Sequence, residues 1–219
     1  MNFTFLGKYY EYFLRGAGFT IILALVGVLF GTILGLCLTL LRRSKFKLIS
    51  FIATAYVEFV RGTPLLVQIY IIYIGLPKLI GIDIPDMAVG AVALALNSSA
   101  YVSEIIRAGI DAVDKGQMEA ARSLGMTQKT AMIEIIIPQA FKNILPALGN
   151  EFISVIKESS MVSVIGVAEL MYNANTVKGN TALGLEPVII AAIIYFIITF
   201  TLTRALGYVE RRMKVSDTR

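Results

Sequence analysis

The sequence contains no histidine and only one cysteine, Cys37, set inside an apolar run. The first absence removes imidazole acid–base catalysis, serine–histidine and cysteine–histidine pairs, and most zinc sites. The second removes any disulfide framework, and with it any inference about redox compartment. Charge is also scarce: 16% of the 219 residues are Asp, Glu, Lys or Arg, against about 25% in soluble domains. There is no Gly-x-x-x-x-Gly-Lys-Ser/Thr loop to cradle a nucleotide phosphate, no internal repeat and no low-complexity tract. Residues 1–15 mix aromatics with Lys8, Glu11 and Arg15. They suit an interfacial segment and lack the early basic cluster and small-residue cleavage site of a signal peptide. A net charge of +5 argues only weakly for nucleic acid, and none is expected as a partner. What the chain has in excess is apolar surface, with 57% hydrophobic residues and a mean hydropathy of +0.75. One membrane domain over 1–219 is the natural reading.

From Gly16 to Leu41 no charge interrupts 26 positions. That is roughly 39 Å of helix, enough to cross a ~30 Å hydrocarbon core with tilt. Gly27, Gly31 and Gly35 recur every fourth residue on one face, a spacing that lets a neighbouring helix come close. Further spans are expected at about 48–76, 87–108, 147–168 and 187–207, with a polar loop over 109–146. The expected fold class is an all-α polytopic membrane protein with five transmembrane helices. Five crossings put the termini on opposite sides, and lysine and arginine decide which side is inside. Fourteen of the twenty basic residues fall in the Arg42–Lys47 loop, the 109–146 loop with its edge, and the tail. Four lie on the other side (Lys8, Arg15, Lys78 and Lys178), and Arg61 and Lys157 lie within spans. The amino terminus is therefore expected outside, and the carboxyl terminus and the 109–146 loop in the cytoplasm.

Ionisable groups within spans cost at least ~2.5–3.5 kcal/mol each on insertion, so they default to functional candidates. Glu58 and Arg61, three apart, can share a face and pair. The following Gly62-Thr63-Pro64 is expected to interrupt the second span. Pro64 removes a backbone hydrogen bond and disfavours helix at Thr63, and it can open a fresh half-helix capped by Thr63. The amino end of a half-helix presents free N–H groups and partial positive charge, suited to a carboxylate. In the third span Asn97, Tyr101 and Glu104 share a face, with Ser98 adjacent. In the fourth, Asn150, Ser154, Lys157 and Met161 share one, with Glu151 and Glu158 beside it. Such stripes serve either as interhelical hydrogen bonds or as the walls of one cavity near the midplane. The acids Glu58, Glu104, Glu151 and Glu158 outnumber the bases Arg61 and Lys157 by two, and a cavity with spare negative charge favours cations.

The 109–146 loop holds the most specific pattern in the chain. The helix-forming run Glu119-Ala120-Ala121-Arg122-Ser123-Leu124 stops at Gly125, the residue that most easily takes the left-handed conformation ending a helix. Thr127 is placed to cap a second helix, which Pro138 is expected to break. Glu119-Ala120-Ala121, then Gly125, then Pro138 after an isoleucine-rich run resembles the EAA loop of binding-protein-dependent ABC importers. Nearly the whole chain resembles the permease subunits of type I importers, most closely the polar amino-acid subfamily.

The resemblance implies a coupling helix around 118–126, in which Glu119, Ala120, Ala121, Arg122, Ser123 and Gly125 seat against an ABC ATPase subunit. It implies a pair of such ATPases that bind ATP and magnesium, so this chain is expected to be no enzyme and to hold no cofactor or metal. It further implies a second permease copy, identical or closely similar, an extracytoplasmic substrate-binding protein, and a place among the lipids of a bacterial cytoplasmic membrane. The candidate substrate contacts are Glu58, Gly62, Thr63, Asn97, Ser98, Tyr101, Glu104, Glu151, Ser154 and Lys157. Gly62, Thr63, Asn97 and Ser98 would hold an amino-acid head group, and Glu58 or Glu151 an ammonium or side chain. Surplus carboxylates favour arginine, lysine or histidine; glutamine and glutamate stay open. Readings from other classes are an ATPase-independent secondary transporter or channel, and a membrane scaffold subunit. Five spans do not divide into two equal inverted halves, no filter sequence is present for a channel, and a scaffold has no need of charges in three spans.

Overall fold

The structure is a computed structural model that describes residues 1–215; the last four residues of the tail, expected to be soluble, lie outside the described residues. The chain forms α1 (Leu6–Arg42), α2 (Lys47–Gly62), α3 (Leu65–Ile80) and α4 (Asp86–Asp111). The short α5 (Lys115–Ser123) and α6 (Gln128–Ala131) follow, then a π-helical turn, Met132–Ile136, and α7 (Ile137–Glu158). A 3₁₀ turn, Ser159–Ile165, leads to α8 (Leu170–Thr181) and α9 (Glu186–Val215). Four helical segments are each long and apolar enough to cross a membrane, and the bent pair α2–α3 makes a fifth candidate span.

The helix α4 is the hub, the most buried of the spans, and its closest partner is α1. The glycine stripe explains the closeness. A Cβ added at Gly27 would meet Leu94 Cβ at 3.1 Å, one at Gly31 would meet Ser98 Cβ at 2.8 Å, and one at Gly35 would meet Val102 Cβ at 2.8 Å. Two ladders of i, i+4 positions thus interlock in register, and only hydrogen fits between them. Thr39 extends the seam by donating to Gly35 O at 2.8 Å and lying 3.2 Å from Ser103 Oγ.

The second span is not a straight crossing. Its helix stops at Gly62, Thr63 and Pro64 are extended, and the chain turns through 115° before α3 begins. Thr63 does not cap α3: its hydroxyl donates backwards to Phe59 O at 2.9 Å and so finishes α2. Val67 N and Gln68 N donate to Pro64 O at 3.0 and 3.3 Å, and no side chain caps the N–H groups of Leu65 and Leu66 that precede them.

Past α4 the chain makes a compact knob. Asp114 caps α5 through Gly116 N. The helix ends in a Schellman turn, with Met126 N donating to Ala121 O and Gly125 N to Arg122 O, both at 3.1 Å, and Gly125 at φ +88°. Thr127 then caps α6 by accepting from Thr130 N at 3.1 Å. Contrary to expectation, Pro138 does not end the helix that follows. The π turn widens the backbone just before it, Ile137 N reaches back five residues to Met132 O, and the proline ring is accommodated where an α-helical carbonyl would clash. The helix also passes through Pro146. Half of the expected 109–146 loop is therefore the base of the fourth span, one 38-residue rod over Gln128–Ile165, roughly 57 Å long. The polar stretch after it, expected as a connection, contains α8, which packs with Phe13 of α1 and Ala191 of α9 through Leu170, Ala174 and Val177.

The seam makes a direct prediction. Gly31→Leu forces α1 off α4, costs about 1–3 kcal/mol and lowers the melting temperature in detergent. Gly18→Leu, where an added Cβ meets nothing within 4 Å, leaves it unchanged. Equal melting of the two variants would contradict the interlocked seam.

Candidate functional site

The break between α2 and α3 is held by a residue that the sequence did not single out, Gln68. Its amide nitrogen donates to Val60 O at 2.7 Å, to Thr63 O at 3.1 Å and to Thr63 Oγ1 at 2.9 Å. Its amide oxygen accepts from Asn97 Nδ2 of α4 at 2.9 Å. One side chain thus takes up carbonyls freed by the break and ties the bend to the hub helix. The signal available in the sequence was an amide four residues after a proline in an apolar helix, where burial demands partners. Gly62 lies exposed on the same bend, and an added Cβ there meets nothing within 4 Å.

On the next position of α4, Ser98 donates to Glu151 Oε1 of α7 at 2.8 Å. Ser98 is fully buried and Glu151 partly so. Adjacent positions of α4 thus carry two polar contacts, Asn97 to Gln68 at the α2–α3 bend and Ser98 to Glu151 on α7. Among the described residues no arginine or lysine pairs with the Glu151 carboxylate, which accepts from the Ser98 hydroxyl.

Other expected members lie elsewhere. Glu104 is the centre of an arginine cluster at the end of the bundle where α1 and α4 finish. Arg42 Nη1 bonds its Oε1, Arg61 Nη1 lies 3.4 Å from Oε2, and Arg107 Nη2 lies 2.9 Å from Oε2. Arg61 therefore pairs across helices with Glu104, not along α2 with Glu58, which is exposed. Tyr101 belongs to the same end, its ring 6.0 Å from the Arg61 guanidinium. Among the described residues no hydrogen bond or ion pair joins Glu58, Ser154 or Lys157 to Asn97, Ser98 or Glu151. Ser154 is partly buried and Lys157 exposed.

The knob turns most of its expected coupling residues outward. Glu119, Ala120, Arg122, Ser123 and Gly125 are exposed, and only Ala121 is buried. At the tip stands Leu124, 85% exposed, an apolar side chain with nothing of this chain to cover it and a member of the surface that motif reading passed over. Behind the knob, Met118 packs near Val113, Ile136 and Ala140, which seats α5 on the base of the rod.

A further polar group, also unread in the sequence, lies between α1, α8 and α9. Glu169 is fully buried; it accepts from Met171 N, Tyr172 N and Tyr195 Oη at 2.9, 2.7 and 2.7 Å, with Thr20 Oγ1 at 3.5 Å. It caps α8 and fastens it to α1 and α9, so its hydrogen-bonding capacity is spent on structure.

Comparison with known proteins gives the family and agrees with the overall fold. Residues 13–215 match the family described as binding-protein-dependent transport system inner membrane component. The arginine transport system permease protein ArtQ of Bacillus subtilis (strain 168) is 46% identical over 206 residues, 94% of each chain. The probable glutamine ABC transporter permease protein GlnM of the same organism is 38% identical over 216 residues, 99% of this chain and 100% of that one. The crystal structure of an amino acid ABC transporter with histidines superposes with a TM-score of 0.91 at 51% identity, covering 97% of this chain and 100% of that one. The chain belongs to the family of binding-protein-dependent transport system inner membrane components, as an amino-acid ABC importer permease: a multi-pass inner-membrane subunit, not an enzyme.

Proposed function

We propose that this subunit imports cationic L-amino acids (arginine, lysine or histidine) by alternating access of the site at Thr63, Asn97, Ser98 and Glu151. The observation that carries the reading is the Ser98–Glu151 pair, a carboxylate with no cation bound to it among the described residues, one position along α4 from the Asn97–Gln68 contact that holds the bend. A free carboxylate there attracts an ammonium or guanidinium, and the N–H groups of α3 attract the substrate carboxylate. Gly62 leaves the bend open for a head group to approach. Glu58, Tyr101, Ser154, Lys157 and Glu104 would line the route to the site and away from it. Glu104 no longer counts as spare negative charge, because three arginines surround it. The cationic reading therefore rests on Glu151 alone, supported by relatives named for arginine and crystallised with histidines. A glutamine or glutamate importer is the second reading, favoured by the 38% identical glutamine permease relative.

The chain would work in a bacterial cytoplasmic membrane with its amino terminus outside, beside a second copy of itself or a close relative. An extracytoplasmic binding protein would deliver substrate, and two ATPase subunits would bind ATP and magnesium and supply the motion. The basic loop, the arginine cluster and the knob all lie at one end of the bundle, which supports putting that end in the cytoplasm. The exposed Leu124 and the EAA-like face of α5, residues 119–125, would seat in the ATPase. Because α6, the π turn and α7 form one rod, a displaced knob tilts Glu151 against Ser98. A site is opened or closed only by differential interaction with its two states, and that contact is one able to differ between them.

Two measurements in proteoliposomes with the ATPase and binding protein test this. Glu151→Gln lowers the preference for arginine over glutamine by about 10–100-fold, the worth of a charge-assisted hydrogen bond; equal loss for both amino acids would refute its role in charge selection. Gly125→Trp abolishes ATP-coupled uptake with normal membrane insertion, because a side chain is strained at φ +88° and obstructs the docking turn. Gly125→Asn, which tolerates that conformation, keeps most of it. Undiminished uptake by the tryptophan variant would overturn the coupling assignment.

A further inference from the structure

The arginine cluster does more than neutralise Glu104. Four guanidinium groups, Arg42, Arg43, Arg61 and Arg107, share two carboxylates, Glu104 and Asp111. The count leaves two positive charges in excess. The carboxyl ends of α1 and α4 offset about one of them, at roughly −0.5 each. The remaining charge is not spread over the surface. Thr39, Arg42, Arg43, Thr54 and Arg107 line a cavity of about 190 Å³ between α1, α2 and α4.

Three details show that the cavity is prepared for a ligand with oxygen acceptors. Arg43 is the least engaged of the four, reaching only Asp111, and that at 3.9 Å. Thr54 lines the cavity, and its hydroxyl makes no hydrogen bond with the described residues. Arg42 uses Nη1 on Glu104 and Ser103, which leaves its other N–H groups to turn elsewhere. The place matters as much as the chemistry. Arg42 and Arg43 are the first charges after the 26-residue apolar run of α1, so the cavity sits at the membrane edge whichever way the bundle is oriented. Within six residues of the lining positions on α1 and α2, the apolar side chains of Leu40, Leu48, Phe51 and Ile52 are largely exposed.

We propose that this cavity binds the phosphate of an anionic phospholipid, with the headgroup among Arg42, Arg43, Arg107 and Thr54 and the acyl chains along the exposed apolar side chains of α1 and α2. Basic pockets between transmembrane helices recognise anionic headgroups in this way, through charge-assisted bonds from guanidinium forks. The ligand is a lipid and not free phosphate because the cationic cavity sits at the end of the apolar run of α1, on helices that also expose apolar side chains. The bound headgroup would clamp α1, α2 and α4 together at the end of the bundle that carries the knob, independently of which amino acid is carried.

The test uses the full-length permease, purified with its ATPase and placed in nanodiscs of phosphatidylcholine alone or with phosphatidylglycerol. Native mass spectrometry and thermal melting are the readouts. Retained phosphatidylglycerol and a higher melting temperature are expected for the natural protein, with about fivefold weaker retention in Arg43→Gln, similar weakening in Thr54→Val, and recovery in Arg43→Lys. Arg43→Gln in phosphatidylcholine alone should melt like the natural protein, which separates lost lipid from lost folding. Equal retention of both lipids would overturn the proposal, as would full retention by Arg43→Gln. So would equal stabilisation by millimolar inorganic phosphate without anionic lipid, which would make free phosphate the ligand.

Discussion

A backbone buried in lipid must satisfy its own N–H and C=O groups, and every functional departure in this chain is shaped by how that demand is met. The chain departs from plain α-helix at two prolines with opposite results. At Pro64 the helix ends and turns through 115°, and the amide of Gln68 takes over carbonyls that the break sets free. At Pro138 the helix survives, because a π turn absorbs the missing N–H and the ring. In the proposed function the first solution offers helix-end groups to a substrate carboxylate, and the second keeps continuous the helix that would carry a displacement.

These two solutions meet on α4. Its positions Leu94, Ser98 and Val102 take the glycine ladder of α1 on one side. Asn97 holds the bend through Gln68 at 2.9 Å, and Ser98 holds the rod through Glu151 at 2.8 Å. A helix locked to α1 without intervening side chains is a fixed reference, against which bend and rod can move separately. One helix thus carries a close-packed seam and two polar contacts, with Ser98 taking part in both. The ionic cluster around Glu104 marks the other end of the same fixed wall, one that draws on α1, α2 and α4 together.

Much of this was legible in the sequence wherever the cause is local. The every-fourth-residue glycines, the Gly125 turn and the Thr127 cap depend on residues within one or two turns, and each takes the expected form. So did the family, carried by Glu119-Ala120-Ala121 and its spacing to Gly125 and Pro138. What was not legible depends on partners distant in the chain. Glu104 shares a helical face with Asn97, yet arginines from α1 and α2 claim it. Gln68 looks like a stray amide until the break has a geometry, and Glu169 like a loop residue until α8 is seen packed on α1. Pro138 misled for another reason: single-residue rules place a helix end there, and they have no term for a wider turn that spares the helix.

The central claim is that α6, at the base of the knob, and Glu151 belong to one unbroken rod on which α5 is seated. It is tested most directly by a distance between spin labels at Lys129→Cys and Lys157→Cys in a Cys37→Ser background, diluted with unlabelled permease in the assembled complex. The account predicts a single distance of about 42 Å between backbones, the same with and without ATP. Two populations, or a change of more than about one helical turn (~5 Å) on adding ATP, would show that the rod bends at Pro138 or Pro146 and would contradict the account.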